Sequence, residues 1–584
     1  MNTVGEPCAR KPHARFDEGR LARHFAKLVA YSTTWIASDL NMVPLYPHGG
    51  SFDNHRLREY CFSWRQPRPY RGSCGEGLVS RWLWLGRSPG VLDEEVCMKV
   101  ISVVALAGAL TVGLSQSAFA ATLLVSGPSP FAGCTIGGPG TVYVNAEVEP
   151  RVAVNPTDSS NIVGVFQQDR WSNGGAHGLV ASVSHNGGAT WGESFAHFST
   201  CSGGTAGNGG NYDRASDPWV SFAPNGDVYQ ISLSASADLV TSGILVSKST
   251  NGGDTWGEPT TLIRDSSVFN FNDKESVTAD PTNASNVYAV WDRSRFPSEN
   301  ADFNALHSFA FRGDIYFTRT TNGGTSWEAP RNLFARNSNQ FAIGNQIVVL
   351  PNGTLVDVFN LGKGSGIQPS GQFFEAVIRS TDKGLTWSDP IIISKDRSVA
   401  VTDPDTGAPV RTGAGLPDIA VDRSTGTLYV VWADGRFSNG AHDDVALSGS
   451  TDGGLTWSPP IKVNQTTNNA AAFTPSVFVA ANGTVGVTHY DFRNNTPAAG
   501  VPTDYWLIRC PSTSTNCVSP AGWSETHVAG SFDMETAPIA RGYFLGDYEG
   551  LTAVGSDSNT FLPFYVQTNT GNTANRSDVF ATTI

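Results

Sequence analysis

The pattern of apolar and polar positions along this chain is that of a β protein built from one repeated unit. From residue 121 onward, short runs of alternating or continuous apolar residues are separated by turn clusters rich in Gly, Asn, Asp and Pro. The first unit reads Glu149-Pro150-Arg151-Val152-Ala153-Val154, then Asn161 to Gln168, then Gly178 to Ser184. A hairpin frame follows, Ser184-His185-Asn186-Gly187-Gly188-Ala189-Thr190-Trp191, and it returns at Ser249–Trp256, Thr320–Trp327, Ser380–Trp387 and Ser450–Trp457. The Asn or Asp at its third place is expected to bond backbone N–H groups two residues on. The Gly two places later supplies the positive φ of a tight turn. The Trp restarts a strand and offers a large apolar face.

Further units begin near Asp217-Pro218-Trp219, Asp273-Lys274-Glu275, Gln346, Pro417-Asp418 and Pro475. A partial seventh unit holds Tyr548 to Val554, Thr560 to Gln567 and Ser577 to Ile584. The frame tryptophans average 66.5 residues apart, so 121–584 has room for about seven units. The expected fold is all-β, a propeller of four-stranded blades. Seven blades are favoured, with Thr122 to Ser126 completing the last; six with decorated ends is the alternative. In such blades the frames share one face, and the ends of the second strands lie on the other.

Composition separates the first part of the chain from the rest. Residues 1–97 carry eleven Arg and two Lys against ten acidic residues and show no sustained periodicity. Met98-Lys99, the apolar run Val100 to Leu114 and Ala118-Phe119-Ala120 read as a signal peptide over 98–120. Two readings of 1–97 stay open: a mis-extended reading frame starting upstream of Met98, or a genuine extension. The expected domain is 121–584, exported to the periplasm, cell surface or medium. The chain's net charge is −13, and residues 98–584 carry −16 of it. That disfavours nucleic acid as a partner, and no segment is apolar enough to span a membrane. A monomer is expected.

Four cysteines lie beyond the leader. Cys510 and Cys517 bracket a short loop and read as a hairpin disulfide, which leaves Cys134 to pair with Cys201. No C-x₂-C or His at ligand spacing argues for a metal. No cofactor is implied; Asp443-Asp444 would suit either an acid/base pair or a structural Ca²⁺.

The repeated frame resembles the Asp box, and the chain resembles the sialidase (neuraminidase) superfamily of Asp-box propellers over about 149 to 554. That resemblance implies a secreted glycoside hydrolase acting on terminal sialic acid or a similar anionic sugar. In that family three Arg bind the substrate carboxylate, an Asp is acid/base and a Tyr paired with a Glu is the nucleophile. Arg151 occupies the first Arg place and Asp169-Arg170 approximates the family's acidic-x-Arg. Asp169 or His177 would serve as acid/base, and Tyr548-Glu549-Gly550-Leu551 matches the late Tyr motif. The family's Glu and a second Arg fall on Asn345 and Asn360. A binding propeller without hydrolysis is the alternative.

Independently of the resemblance, Asp/Arg clusters end the second strands: Asp169-Arg170, Asp292-Arg293, Asp434-Gly435-Arg436 and Asp491-Phe492-Arg493. Such Arg residues either pair with neighbouring carboxylates such as Asp217, Asp273 or Asp418, or point to the axis and bind an anionic sugar. The loops Arg170-Trp171 to His177 and Arg436-Phe437 to His442 each offer an aromatic, an amide and a His to a glycan. Successive side chains of a strand face opposite ways, so only one of Tyr548 and Glu549 can face the axis.

Overall fold

A computed structural model describes residues 122–296, 312–333, 340–363, 372–513, 517–555 and 560–584. The leader and signal-peptide readings lie outside the described residues. Among these, regular structure is strand apart from three short 3-10 turns. No helix among them is long and apolar enough to cross a membrane.

The strands pair antiparallel in successive groups of four. The first group is Val142–Asn155, Asp158–Trp171, Ala176–Ser184 and Gly192–Ser194. The second is Arg214–Phe222, Val228–Ala235, Thr241–Ser249 and Thr260–Ser266. The third and fourth open with Asn270–Ala279 and Gln340–Val349. The fifth and sixth open with Asp418–Val421 and Ala472–Val479. Gly550–Val554, Thr560–Thr568 and Ser577–Thr582 form the seventh, and Thr122–Leu124 pairs antiparallel with its third strand. Each opening strand packs beside that of the next group, and that of the seventh packs beside that of the first.

Apolar residues fill the spaces between successive groups. Val163, Val183 and Val228 lie between the first and second, Tyr288, Phe317 and Phe359 between the third and fourth, and Trp191 meets Phe564 between the first and seventh. Both faces of a sheet are therefore buried, which explains continuous apolar runs where strict alternation would mark a one-sided sheet.

The hairpin frame makes a different bond from the one expected. The Asn or Asp accepts from the N–H four residues on: Thr190 to Asn186 at 2.9 Å, Thr255 to Asn251 at 3.1 Å and Thr386 to Asp382 at 2.9 Å. The hydroxyl at the first place also accepts from the second Gly, as Gly188 to Ser184 at 2.9 Å and Gly384 to Ser380 at 2.7 Å. Both acceptors span the whole turn, so the frame needs both residue types at that spacing.

The frame also stitches groups together. The carbonyl at its fourth place accepts a side chain from the preceding group. Asn161 reaches Gly252 at 3.0 Å, Lys248 reaches Gly323 at 3.0 Å and Arg379 reaches Gly453 at 2.6 Å. Arg319 makes the same bond to Lys383. Gly384 stands at φ +84°, and a Cβ there would meet the Phe317 ring at 2.5 Å. Gly384→Ala is expected to cost about 2–4 kcal/mol in urea unfolding, combining left-handed strain with overpacking. A loss below about 1 kcal/mol would show that the frame does not seat against the third group.

Two disulfides are present, Cys134–Cys201 and Cys510–Cys517. Both pairings match those read from the sequence.

Candidate functional site

The opening strands share one irregularity. Their registers slip between Val148 and Arg151, Ser216 and Trp219, Asp273 and Ser276, Ile343 and Gln346, and Phe473 and Ser476. A bulge re-aims the side chains around it. Glu149, Asp217 and Lys274 sit at three of these slips with φ of +55°, +51° and +48°. Positive φ at a non-Gly residue is strain of order 1–3 kcal/mol, which tends to gather at functional sites.

The three bulged residues meet as an ionic hub. Lys274 Nζ lies 2.7 Å from Asp217, 2.7 Å from Asp547 and 3.2 Å from Glu149, all buried. Arg411 donates Nε to Asp547 at 2.8 Å and a second bond from Nη2. Burial opposes the Lys274 charge, but Asp217, Asp547 and Glu149 outweigh it and hold its pKa well above the ordinary value. Asp547 stays ionised far below the usual carboxylate range despite burial, because Arg411 and Lys274 face it.

A cavity opens beside this hub. Its charged walls are Glu149, Arg170, Arg214, Asp217, Asp273, Lys274, Arg411 and Arg541. Leu233, Leu239 and Phe271 give it an apolar side, and Asn173 to Gly175 of the first group's second–third loop border it. Arg170 and Arg411 lie 4.8 Å and 4.3 Å from the Phe544 ring. Arg541 is held at φ +70°. Burial, then the neighbouring Arg411, push its pKa well below the arginine range. Arg170 is lowered by burial as well, and Arg411 adds to the effect. Four guanidiniums thus crowd one cavity; that of Arg214 is held by Asn173 Oδ1 and the Gly174 carbonyl, which leaves those of Arg170, Arg411 and Arg541 from separate segments. Burial pushes the Asp273 carboxyl up to about 7, with Asp217 adding to the shift.

A second cavity shares Lys274 with the first and is lined by Trp219, Glu275, Asp418, Asp547 and Tyr548. The Tyr548 hydroxyl donates to the Pro218 carbonyl at 3.3 Å, and its ring meets Trp219 edge-on at 5.6 Å. Burial, then Glu149 and Asp217, raise its pKa well above 10. Burial also raises the Glu275 carboxyl well above its ordinary value.

The residues singled out in the sequence are scattered around this centre. Arg170 and Tyr548 line the cavities. Arg151 reaches across from the first group to the fifth, 3.1 Å from Asp418, with its guanidinium 3.9 Å over Trp219. Asp169 points away: it accepts from Ser129 at 2.7 Å and the Asn145 N–H at 2.8 Å, and lies 3.0 Å from His177 Nδ1. His177 and Trp171 are buried in that same network, Trp171 beneath the Arg214 guanidinium at 4.5 Å. Tyr548 and Glu549 precede the strand Gly550–Val554 that the sequence would have them start; Glu549 lines neither cavity and accepts from the Val566 N–H at 3.3 Å.

The remaining Arg residues, at the second-strand ends, are occupied by carboxylates of their own or the preceding group. Arg293 is paired with Asp265 at 2.6 Å, Arg436 with Asp434 at 2.6 Å, and Arg493 with Asp491 at 2.6 Å and Glu525 at 2.5 Å. His442 lies 3.8 Å from Asp444. None of these lines either cavity. Arg436 and Arg493 are satisfied by the Asp of their own cluster and Arg293 by Asp265 of the preceding group, which removes the reason to point at the axis. Among the described residues no three His, Cys, Asp or Glu gather in metal-holding geometry.

Arg411 and Arg541 were not legible as site residues. They sit in the long connections between the fourth and fifth and the sixth and seventh groups. These two connections pair with each other, Val410 beside Tyr543 and Arg411 beside Phe544. Their length was the available signal, since long connections in compact domains are usually functional. For Glu149 and Asp217 the signal was a charged residue immediately before Pro at a strand start.

No family model matches the chain. A sialidase of Micromonospora viridifaciens is 32% identical over 126 residues, which are 19% of this chain and 18% of that protein. The chain therefore matches less than a fifth of that relative's length. Among solved structures, the Penicillium chrysogenum α-L-arabinanase aligns over 79% of this chain and 98% of its own, at 12% identity and a TM-score of 0.41. A Hadza microbial sialidase aligns over 73% of both chains at 14% identity and a TM-score of 0.41. The leech intramolecular trans-sialidase aligns over 76% of this chain and 92% of its own, at 12% identity and a TM-score of 0.40.

Proposed function

We propose that this protein is an exported, sialidase-like glycoside hydrolase acting on a terminal anionic sugar, with the seven strand groups as the blades of a closed Asp-box propeller. The observation that carries the reading is the convergence of Arg170, Arg411 and Arg541 on one cavity beside Asp273. Like charges crowded in a buried site call for an anion, and guanidinium forks bind a carboxylate with two parallel bonds. In this reading the three Arg hold the sugar's carboxylate. Asp273, titrating near neutrality, protonates the leaving oxygen and later takes a proton from the incoming water. Tyr548 attacks the anomeric carbon and passes its proton to the ionised form of Glu275, a strong base because burial raises its pKa. A neutral phenol avoids the repulsion that a carboxylate nucleophile would meet beside an anionic substrate.

The test is hydrolysis of a fluorogenic sialoside by the full chain and by Tyr548→Phe. Turnover is expected, and Tyr548→Phe should lower kcat by about 10³-fold or more while leaving the unfolding midpoint within 2 °C. Turnover unaffected by Tyr548→Phe removes the nucleophile, and no turnover by a folded chain removes the reading. A glycan-binding propeller without hydrolysis is the second reading. It is favoured by Lys274 and Arg411, whose charges are already met by carboxylates. Saturable sialoside binding without turnover would select it.

A further inference from the structure

Asp292 is a buried carboxyl that the scheme above does not use. It stands directly opposite Asp273 in the pairing of Asn270–Ala279 with Val287–Arg295. Directly opposed residues of an antiparallel pair put their side chains on the same face, with Cβ atoms about 4.5–5.5 Å apart. Asp273 is 6% exposed and Asp292 1%. Asp273 accepts the Lys274 backbone N–H at 3.1 Å, and Oδ1 of Asp292 has no hydrogen-bond partner.

The charged groups facing Asp273 are Asp217, Lys274, Arg411 and Asp547, and Arg541 feels its charge as well. Those facing Asp292 are Asp273, Lys274 and Asp217, together with the Gly344 N–H. The Lys274 ammonium is already shared among three other carboxylates, and Arg411 is held by Asp547. Two adjacent buried carboxyls with no cation of their own cannot both ionise without strong repulsion.

We propose that Asp292 is the positioning residue for Asp273, remaining a neutral acid that donates its proton to the Asp273 carboxylate across the strand pair. The pair behaves as one unit holding one proton, with Asp273 open to the cavity and Asp292 behind it. This rests on the reading of Asp273 as the acid/base group, and it explains how a carboxylate without a cation can exist there at all. Burial also keeps Asp292 protonated, far above the ordinary carboxylate range, when Asp273 ionises.

The experiment is thermal unfolding of the full chain from pH 4 to 9, for wild type, Asp273→Asn, Asp292→Ala and Asp292→Asn. The folded-state pKa of Asp273 lies above its unfolded value of about 3.9. Its contribution to stability is therefore full below about pH 4 and falls as pH rises through about 7. Asp273→Asn should lack this fall, and the difference from wild type isolates the group. Asp292→Ala removes the donor and should move the midpoint of the fall upward by at least one pH unit. Asp292→Asn still donates and should keep it within about 0.3 unit of wild type.

A midpoint unmoved or lowered in Asp292→Ala, or moved alike in both variants, overturns the proposal. The same proteins are assayed on the fluorogenic sialoside. If the midpoints shift as stated but no turnover occurs, the pair stands and the hydrolase reading falls. If turnover occurs and the midpoint stays fixed, the pair falls and the hydrolase reading stands.

Discussion

Lys274→Met should destabilise the protein by about 3–5 kcal/mol at pH 7, because it removes the cation shared by Glu149, Asp217 and Asp547. Arg411 keeps Asp547 compensated, so the cost falls on Glu149 and Asp217, which stay buried. Burial already holds the Glu149 carboxyl above its ordinary range, and losing the Lys274 ammonium raises it further. Stability of the variant is then greatest at low pH and is lost as pH rises, so its deficit against wild type should shrink on acidification from pH 7 to 5. Urea unfolding at the two pH values measures both effects. A deficit under 1 kcal/mol, or one that ignores pH, would mean that the hub is not held by its cation.

Arg411→Ala should lower kcat/KM on an anionic glycoside by roughly 10²-fold or more, as expected when one partner of a buried charge pair is truncated at a cost of about 2–5 kcal/mol. Arg411 is anchored twice, bonded to Asp547 and stacked on Phe544. Arg411→Lys keeps a charge but loses the planar fork, so it should recover less than tenfold. Urea unfolding separates lost binding from lost folding, since Asp547 retains Lys274 in both variants. Loss below tenfold in a folded Arg411→Ala protein would place the substrate anion elsewhere.

Much of the architecture was legible because it is local. The frame's Ser or Thr, Asn or Asp, Gly and Trp act within eight residues, so their meaning survives without tertiary context. Even there the bonding differs from expectation, since Asn186 reaches four residues on to Thr190. The donors that stitch frames to preceding groups, such as Lys248 and Arg379, were invisible because their acceptors lie more than 70 residues away. Strand alternation was expected to separate Tyr548 from Glu549; they are separated, but by the bend that precedes Gly550–Val554, which leaves the phenol on a cavity and the carboxyl buried.

The sequence by itself determined an all-β chain of repeated four-stranded units and two disulfide pairs. Each follows from short-range periodicity or from a count of cysteines. Only the tertiary structure decided which charges meet. Arg293, Arg436 and Arg493 look alike in sequence to Arg170, yet Arg436 and Arg493 are neutralised by the Asp of their own cluster and Arg293 by Asp265 of the preceding group. Arg411 and Arg541, which lie in no repeat, are brought to the centre by two connections that pair across the chain. Electrostatic partners are chosen by proximity in space, and bulges at Glu149, Asp217 and Lys274 set that proximity in a way no residue pattern announces.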